Sequence, residues 1–182
     1  MKFYFSRMKP KGECPPRKPL SKIFWSWVGA FLGISMVMWL GEHPGILSVH
    51  GVFLIGSFGA SAVLVYGAPT AEFSQPRNLV GGHVFSALVG VAVYMLMGSE
   101  NMLAGPMAVS LAIVAMHLTR TLHPPGGATA LIAIIGGDSI HAMGFWYAIT
   151  PAMLGAIIML LVALVVNNLS SNPLRHYPVY WL

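Results

Sequence analysis

The sequence predicts an all-α membrane protein of about six transmembrane segments, arranged as a 3+3 inverted repeat whose second and fifth helices are short or broken. Three observations lead there. Of 182 residues, 56% are hydrophobic and 8% charged, with a mean hydropathy of +0.72, whereas soluble domains carry about 25% charged residues. The few charges punctuate apolar runs: residues 23–41, 43–71, 78–99, 101–119, 121–137 and 139–174 hold none, counting His as neutral. A small-residue signature also occurs twice along the chain.

The elements follow in order. Lys2, Arg7, Lys9, Lys11, Arg17, Lys18 and Lys22 crowd residues 1–22, so this flank is a basic cytoplasmic tail by the positive-inside bias. Segment 23–40 is a retained first span, because Gly41-Glu42-His43-Pro44 is no small-residue cleavage site. Segments 46–66, 80–98, 103–122, 125–136 and 145–167 follow, and together 23–167 form the transmembrane domain. Pro124-Pro125 and Gly136-Gly137-Asp138 bound the fifth segment. Its length is about 18 Å, short of a hydrocarbon core of about 30 Å, so it is extended by irregular backbone or enters as a half-helix. Residues 168–182 are read as a short C-terminal tail. With the N-terminus inside and six crossings, Arg77, Arg120 and Arg175 lie inside, and Glu42, Glu100 and Asp138 outside.

The repeated signature is Gly59-Ala60-Ser61-Ala62-Val63-Leu64 against Gly127-Ala128-Thr129-Ala130-Leu131-Ile132. Each lies in the middle of three segments. Three crossings per unit invert the second unit, and in inverted repeats the interrupted helices meet near the midplane and form the substrate site. The plainer alternative is that small residues merely let helices pack closely.

The sharpest motif is Leu122-His123-Pro124-Pro125-Gly126-Gly127-Ala128-Thr129-Ala130. His123 precedes proline and favours an extended backbone, and Pro125 suits the first helical position. Gly126, Gly127 and Ala128 then present N–H groups without intrahelical partners, a setting that favours an anion. Thr129 and His123 add side-chain donors. Ser57, Gly59 and Ser61 mark the matching break in the second segment. The alternative is a rigid helix start with no ligand. Gln75-Pro76-Arg77-Asn78 and Gly81-Gly82-His83 open the third segment. Arg77 and Asn78 guard an anion entrance there, with His83 deeper, or else Arg77 sits among headgroups and His83 packs between helices. Arg120 either snorkels or draws anions towards His123.

All five acids lie in the tail or at segment ends, so the interior suits an anion or neutral solute better than a cation. Cys14 is the only cysteine. No metal-ligand spacing or catalytic set is present, and neither cofactor nor metal is expected. The chain is not read as an enzyme or a nucleic-acid binder. A small inorganic anion, the lipid bilayer and a second copy of the chain are the expected partners.

The His-Pro-Pro motif resembles the signature of the HPP family of integral membrane proteins, as do Phe53-Leu54-Ile55-Gly56-Ser57-Phe58-Gly59-Ala60-Ser61-Ala62, Gln75-Pro76-Arg77-Asn78 and Gly81-Gly82-His83. The resemblance covers most of 23–167. It implies a compact membrane domain, some of whose members are associated with nitrite transport, and, without a transit peptide, a bacterial inner membrane. The expectation is permeation of a small monovalent anion, nitrite first, with His123 or His83 able to carry a proton. The alternative is a non-transporting scaffold or sensor.

Overall fold

The computed structural model describes residues 2–10, 12–42 and 55–182. Lys11, His43, His50 and residues 46–54 of the predicted second segment lie outside them. Among the described residues every regular element is helical. A short α1 (Lys2–Ser6) lies in the basic flank, followed by α2 (Leu20–Gly41) and α3 (Ser57–Ala62), which runs on as a π-helical turn, Val63–Gly67. A 3-10 turn (Glu72–Ser74) leads into α4 (Pro76–Met97), then α5 (Ala104–Leu118), α6 (Pro124–Ile135) and the single turn α7 (Asp138–His141). A π-helical turn (Ala148–Met153) enters α8 (Leu154–Leu169), and a 3-10 turn (Pro173–Arg175) follows.

Among the described residues three helices are long and apolar enough to cross a membrane: Leu20–Gly41, Pro76–Met97 and Ala148–Leu169. Ser57–Gly67, Ala104–Leu118 and Pro124–Ile135 are apolar but shorter. The expected segments thus correspond in order to three long helices and three short ones, with shifted edges. The third helix begins at Pro76 rather than residue 80, because proline occupies its first position without losing a needed N–H. The fourth stops at Leu118 rather than 122, because Arg120 takes a left-handed backbone (φ 58°) and His123 is extended before Pro124. In the last segment Thr150 is extended (φ −131°, ψ 124°) before Pro151, which interrupts the helix near its start.

Small residues set the packing. Helix α4 lies against α5, α6 and α8. A Cβ at Gly90 of α4 would stand 2.7 Å from the Ala130 carbonyl oxygen of α6, so only glycine allows this approach. On α2, Gly29 and Gly33 make room for the Tyr66 ring, whose Oη donates to the Met159 carbonyl at 3.0 Å. Gly33→Val drives side-chain atoms into that ring and is expected to lower stability by about 1–3 kcal/mol, read as the thermal midpoint in detergent. The outer face of α2 carries aromatic rings in the open, Trp27 63% and Trp39 54% exposed. Such exposure suits lipid and its interfaces.

The bundle has two chemically different ends. Arg175 Nη1 donates to the Lys22 carbonyl at 3.2 Å and to Ser26 Oγ at 3.1 Å. The Tyr177 hydroxyl donates to the Ser74 carbonyl at 2.8 Å, and Arg77 Nη2 to the Thr119 carbonyl at 2.8 Å. These bonds gather Lys22, Arg77, Arg120 and Arg175 at one end. At the other end Tyr94 stacks on His141 at 3.8 Å. That stack brings the Asp138 turn beside the end of α4, which leads on to Glu100. Within residues 168–182, Arg175 is 1% and Tyr177 3% exposed. Burial pushes the Tyr177 phenol above its ordinary value.

Candidate functional site

Five predicted residues meet in one buried chain of hydrogen bonds. Ser61 Oγ lies 2.8 Å from His83 Nε2 and 2.8 Å from His123 Nε2. His83 Nδ1 lies 2.7 Å from Thr129 Oγ1, which donates to Ser57 Oγ at 2.9 Å. His123 Nδ1 lies 2.7 Å from the Phe73 carbonyl oxygen, so this nitrogen donates. Ser57, Ser61, His83, His123 and Thr129 are all fully buried. Buried polar groups cost stability unless they are paired, and here each finds a partner.

Local sequence explains the assembly. Extended His123 ends the α5–α6 connection, and the ring turns inward because Gly82 has no Cβ. One added there would collide with His123 Cβ and stand 2.9 Å from the Thr121 carbonyl oxygen. Asn78 Nδ2 donates to the Leu122 carbonyl at 2.8 Å and holds the same connection. Ser61 and Thr129, the matched slots of the two small-residue runs, approach opposite nitrogens of the His83 ring.

The helix starts differ from expectation. The Gly126 N–H donates to the His123 carbonyl at 2.8 Å rather than standing free. A Cβ at Gly126 would lie 2.6 Å from Ser86 Oγ, 2.8 Å from the Gly82 carbonyl oxygen and 3.0 Å from Met116 Sδ, so α4 and α5 close over this helix start. At α3, Phe58 N–H donates to Ile55 and Gly59 N–H to Gly56. The physical reason is that a first turn can tighten and satisfy its own donors. Gly59 and Ala128 are exposed and turned from the centre, and Gly127 is half-buried against Val109. The N–H groups of Gly126 and Gly59, expected to stand free for an anion, are therefore taken up by carbonyls of their own first turns.

Arg77, Asn78 and Arg120 lie elsewhere, around a cavity of about 570 Å³ at the basic end, with Glu72, Phe73 and His117 also in its wall. The charged side chains there are Arg77, Arg120 and Glu72. The cavity adjoins the buried chain, because Phe73 both lines it and accepts from His123. An apolar groove of about 720 Å³ between α2 and α8, lined by Leu32, Met36, Trp39 and Val165, carries almost no polar chemistry. Arg120 occupies the left-handed position that ends a helix by paired bonds, Thr121 N–H to Met116 and Arg120 N–H to His117. Glycine is the usual residue there, and a side chain costs about 1–2 kcal/mol.

Sequence reasoning missed Tyr147, whose Oη donates to the Thr129 carbonyl at 3.1 Å. Its signal was a tyrosine in an apolar run, where the hydroxyl needs a partner. It also missed Phe73, which contributes only backbone and leaves no sequence signal, and Ser86, whose buried Oγ has no partner.

Residues 15–178 match the transmembrane region of the HPP family. The chain belongs to the HPP family. Two transmembrane proteins of Dictyostelium discoideum are similar to this HPP chain. One is 44% identical over 181 residues, covering 98% of the chain and 57% of the relative; the second is 44% identical over 174 residues, covering 94% and 60%. The chain thus spans under two thirds of the length of these relatives. No solved structure matches it.

Proposed function

We propose that this HPP protein carries a small monovalent anion across its membrane, with nitrite the first candidate. The observation that supports it is the arginine-flanked cavity set directly against the buried His123–Ser61–His83 chain. Arg77 and Arg120 concentrate an anion at the mouth. The chain beneath offers imidazole and hydroxyl groups without a carboxylate. Nitrite leads because the family resemblance includes nitrite transport. The centre is fully buried, so the mechanism is that of a carrier that must rearrange rather than of an open channel. We read six passages with the basic end cytoplasmic. Support for the 3+3 inverted arrangement comes from Ser61 and Thr129, equivalent positions of the two units that bond one histidine from either side.

Arg120→Gly separates function from folding. Glycine relieves the left-handed backbone and is expected to leave stability equal or about 1 kcal/mol higher. Loss of the mouth cation should lower nitrite flux several-fold at low salt and less at high salt, where screening already weakens attraction. Flux in proteoliposomes with nitrite, nitrate, formate and chloride is the direct test. If no anion moves faster than through protein-free vesicles, the carrier reading fails. A non-transporting scaffold or sensor then takes its place.

A further inference from the structure

We propose that His83, Ser61 and His123 bind a single proton, taken up together with the anion. This rests on the carrier reading and adds the coupled ion. The hydrogens available to these groups decide it. The Phe73 carbonyl only accepts, so His123 Nδ1 carries a hydrogen, and Nε2 of the neutral ring is bare. Ser61 has one hydrogen and lies 2.8 Å from two Nε2 atoms. If Ser61 donates to His123, the His83 contact needs a hydrogen on His83 Nε2. With Thr129 donating to Ser57, His83 Nδ1 must donate to Thr129 as well. His83 then holds two N–H groups and is an imidazolium.

A neutral alternative exists if two hydroxyls rotate. Thr129 then donates to His83 Nδ1, and Ser57 donates to Thr129. Both patterns leave every nitrogen of the two rings paired, and they differ by one proton. The extra proton enters at His83 Nδ1. It passes on when His83 Nε2 gives its hydrogen to Ser61 while Ser61 gives its own to His123 Nε2. One N–H bond breaks, one forms, and the hydroxyl exchanges its hydrogen. The charge then rests on the ring beside Phe73 and the cavity. The ring centroids are 5.1 Å apart, so repulsion opposes a second proton.

Among the described residues, no partner of either ring is a carboxylate. From α3 the rings face Ser57, Phe58 and Ser61; from α6, Thr129; from the segment before α8, Tyr147 through the Thr129 carbonyl. On α4 itself, Ser86 follows one turn on. Among the described residues the cavity wall adds Glu72, Arg77, His117, Arg120 and Tyr180, while Tyr66 bonds the Met159 carbonyl and Tyr94 stacks on His141; none of these side chains bonds either ring. A buried imidazolium without a carboxylate is unfavourable, and an anion beside it removes that penalty. Proton and anion therefore strengthen each other's binding, reciprocally.

Three measurements test this. Purified full-length protein in weakly buffered detergent is titrated with sodium nitrite while pH is followed. The expected result is saturable uptake of about one proton per chain, lost in His83→Gln and in Ser61→Ala. Nitrogen-15 spectra of histidine-labelled wild-type protein should gain an imidazolium signature on nitrite addition, a readout that does not depend on the variants folding. In proteoliposomes, a nitrite gradient should carry protons inward beyond the rate of protein-free vesicles. Anion flux with neither proton movement nor an imidazolium signal overturns the coupling and leaves the carrier. Proton uptake without flux upholds the centre and removes the carrier reading. Absence of both overturns both.

Discussion

Arg175→Leu is expected to lower stability by about 3 kcal/mol and the thermal midpoint by about 6–12 °C, measured by circular dichroism in detergent. The guanidinium is 1% exposed and lies in a segment that sequence reading treated as tail. Nη2 donates to the Tyr66 carbonyl at 2.8 Å and Asn167 Oδ1 at 2.9 Å; Nη1 donates to Lys22 and Ser26. One side chain thus joins the start of α2, the turn after α3 and the end of α8. All four acceptors are neutral, and burial lowers the pKa of the guanidinium below its ordinary value. Leucine fills the space but leaves the Tyr66 carbonyl and Asn167 Oδ1 without this donor. Arg175→Lys should recover little, because one ammonium cannot span acceptors that a planar fork reaches in two directions. An unchanged midpoint in Arg175→Leu would show that the clamp contributes nothing.

The second large effect is a contrast between neighbouring glycines. Gly126→Ala should lower stability by about 1–3 kcal/mol and cut any anion flux at least about ten-fold. The new methyl would stand 2.8 Å from the Gly82 carbonyl oxygen, and backbone on α4 cannot swing aside as a side chain can. Helices α4 and α6 must part, which stretches the 2.7 Å contact between His83 and Thr129. Ser86→Gly should not rescue the variant, because the carbonyl remains. Gly127→Ala should behave as wild type, since its methyl meets only Val109 at 3.7 Å, an ordinary contact. Equal behaviour of the two variants in flux and unfolding assays would remove the claim that α4 closes over the start of α6.

Much of the architecture was legible because it depends on short-range signals. Charge spacing located the apolar helices in order, Pro124-Pro125 set the start of α6 to within one residue, and the His-Pro-Pro stretch pointed to the family. Edges moved where a single backbone angle decided them, as at Arg120. The site was legible in its side chains but not in its contacts. His83, His123, Ser61, Ser57 and Thr129 were all singled out, yet the backbone amides beside them were expected to face a ligand.

The sequence by itself determined that this chain lives in lipid and where its apolar runs lie, because those follow from composition and from residues near in the chain. Only the tertiary structure decided that Ser61 stands between two histidines 22 and 62 positions away, that Gly82 seats His123, and that Arg175 fastens both ends of the chain. Such contacts depend on how helices lie against one another to within an ångström. No local pattern of residues encodes that distance.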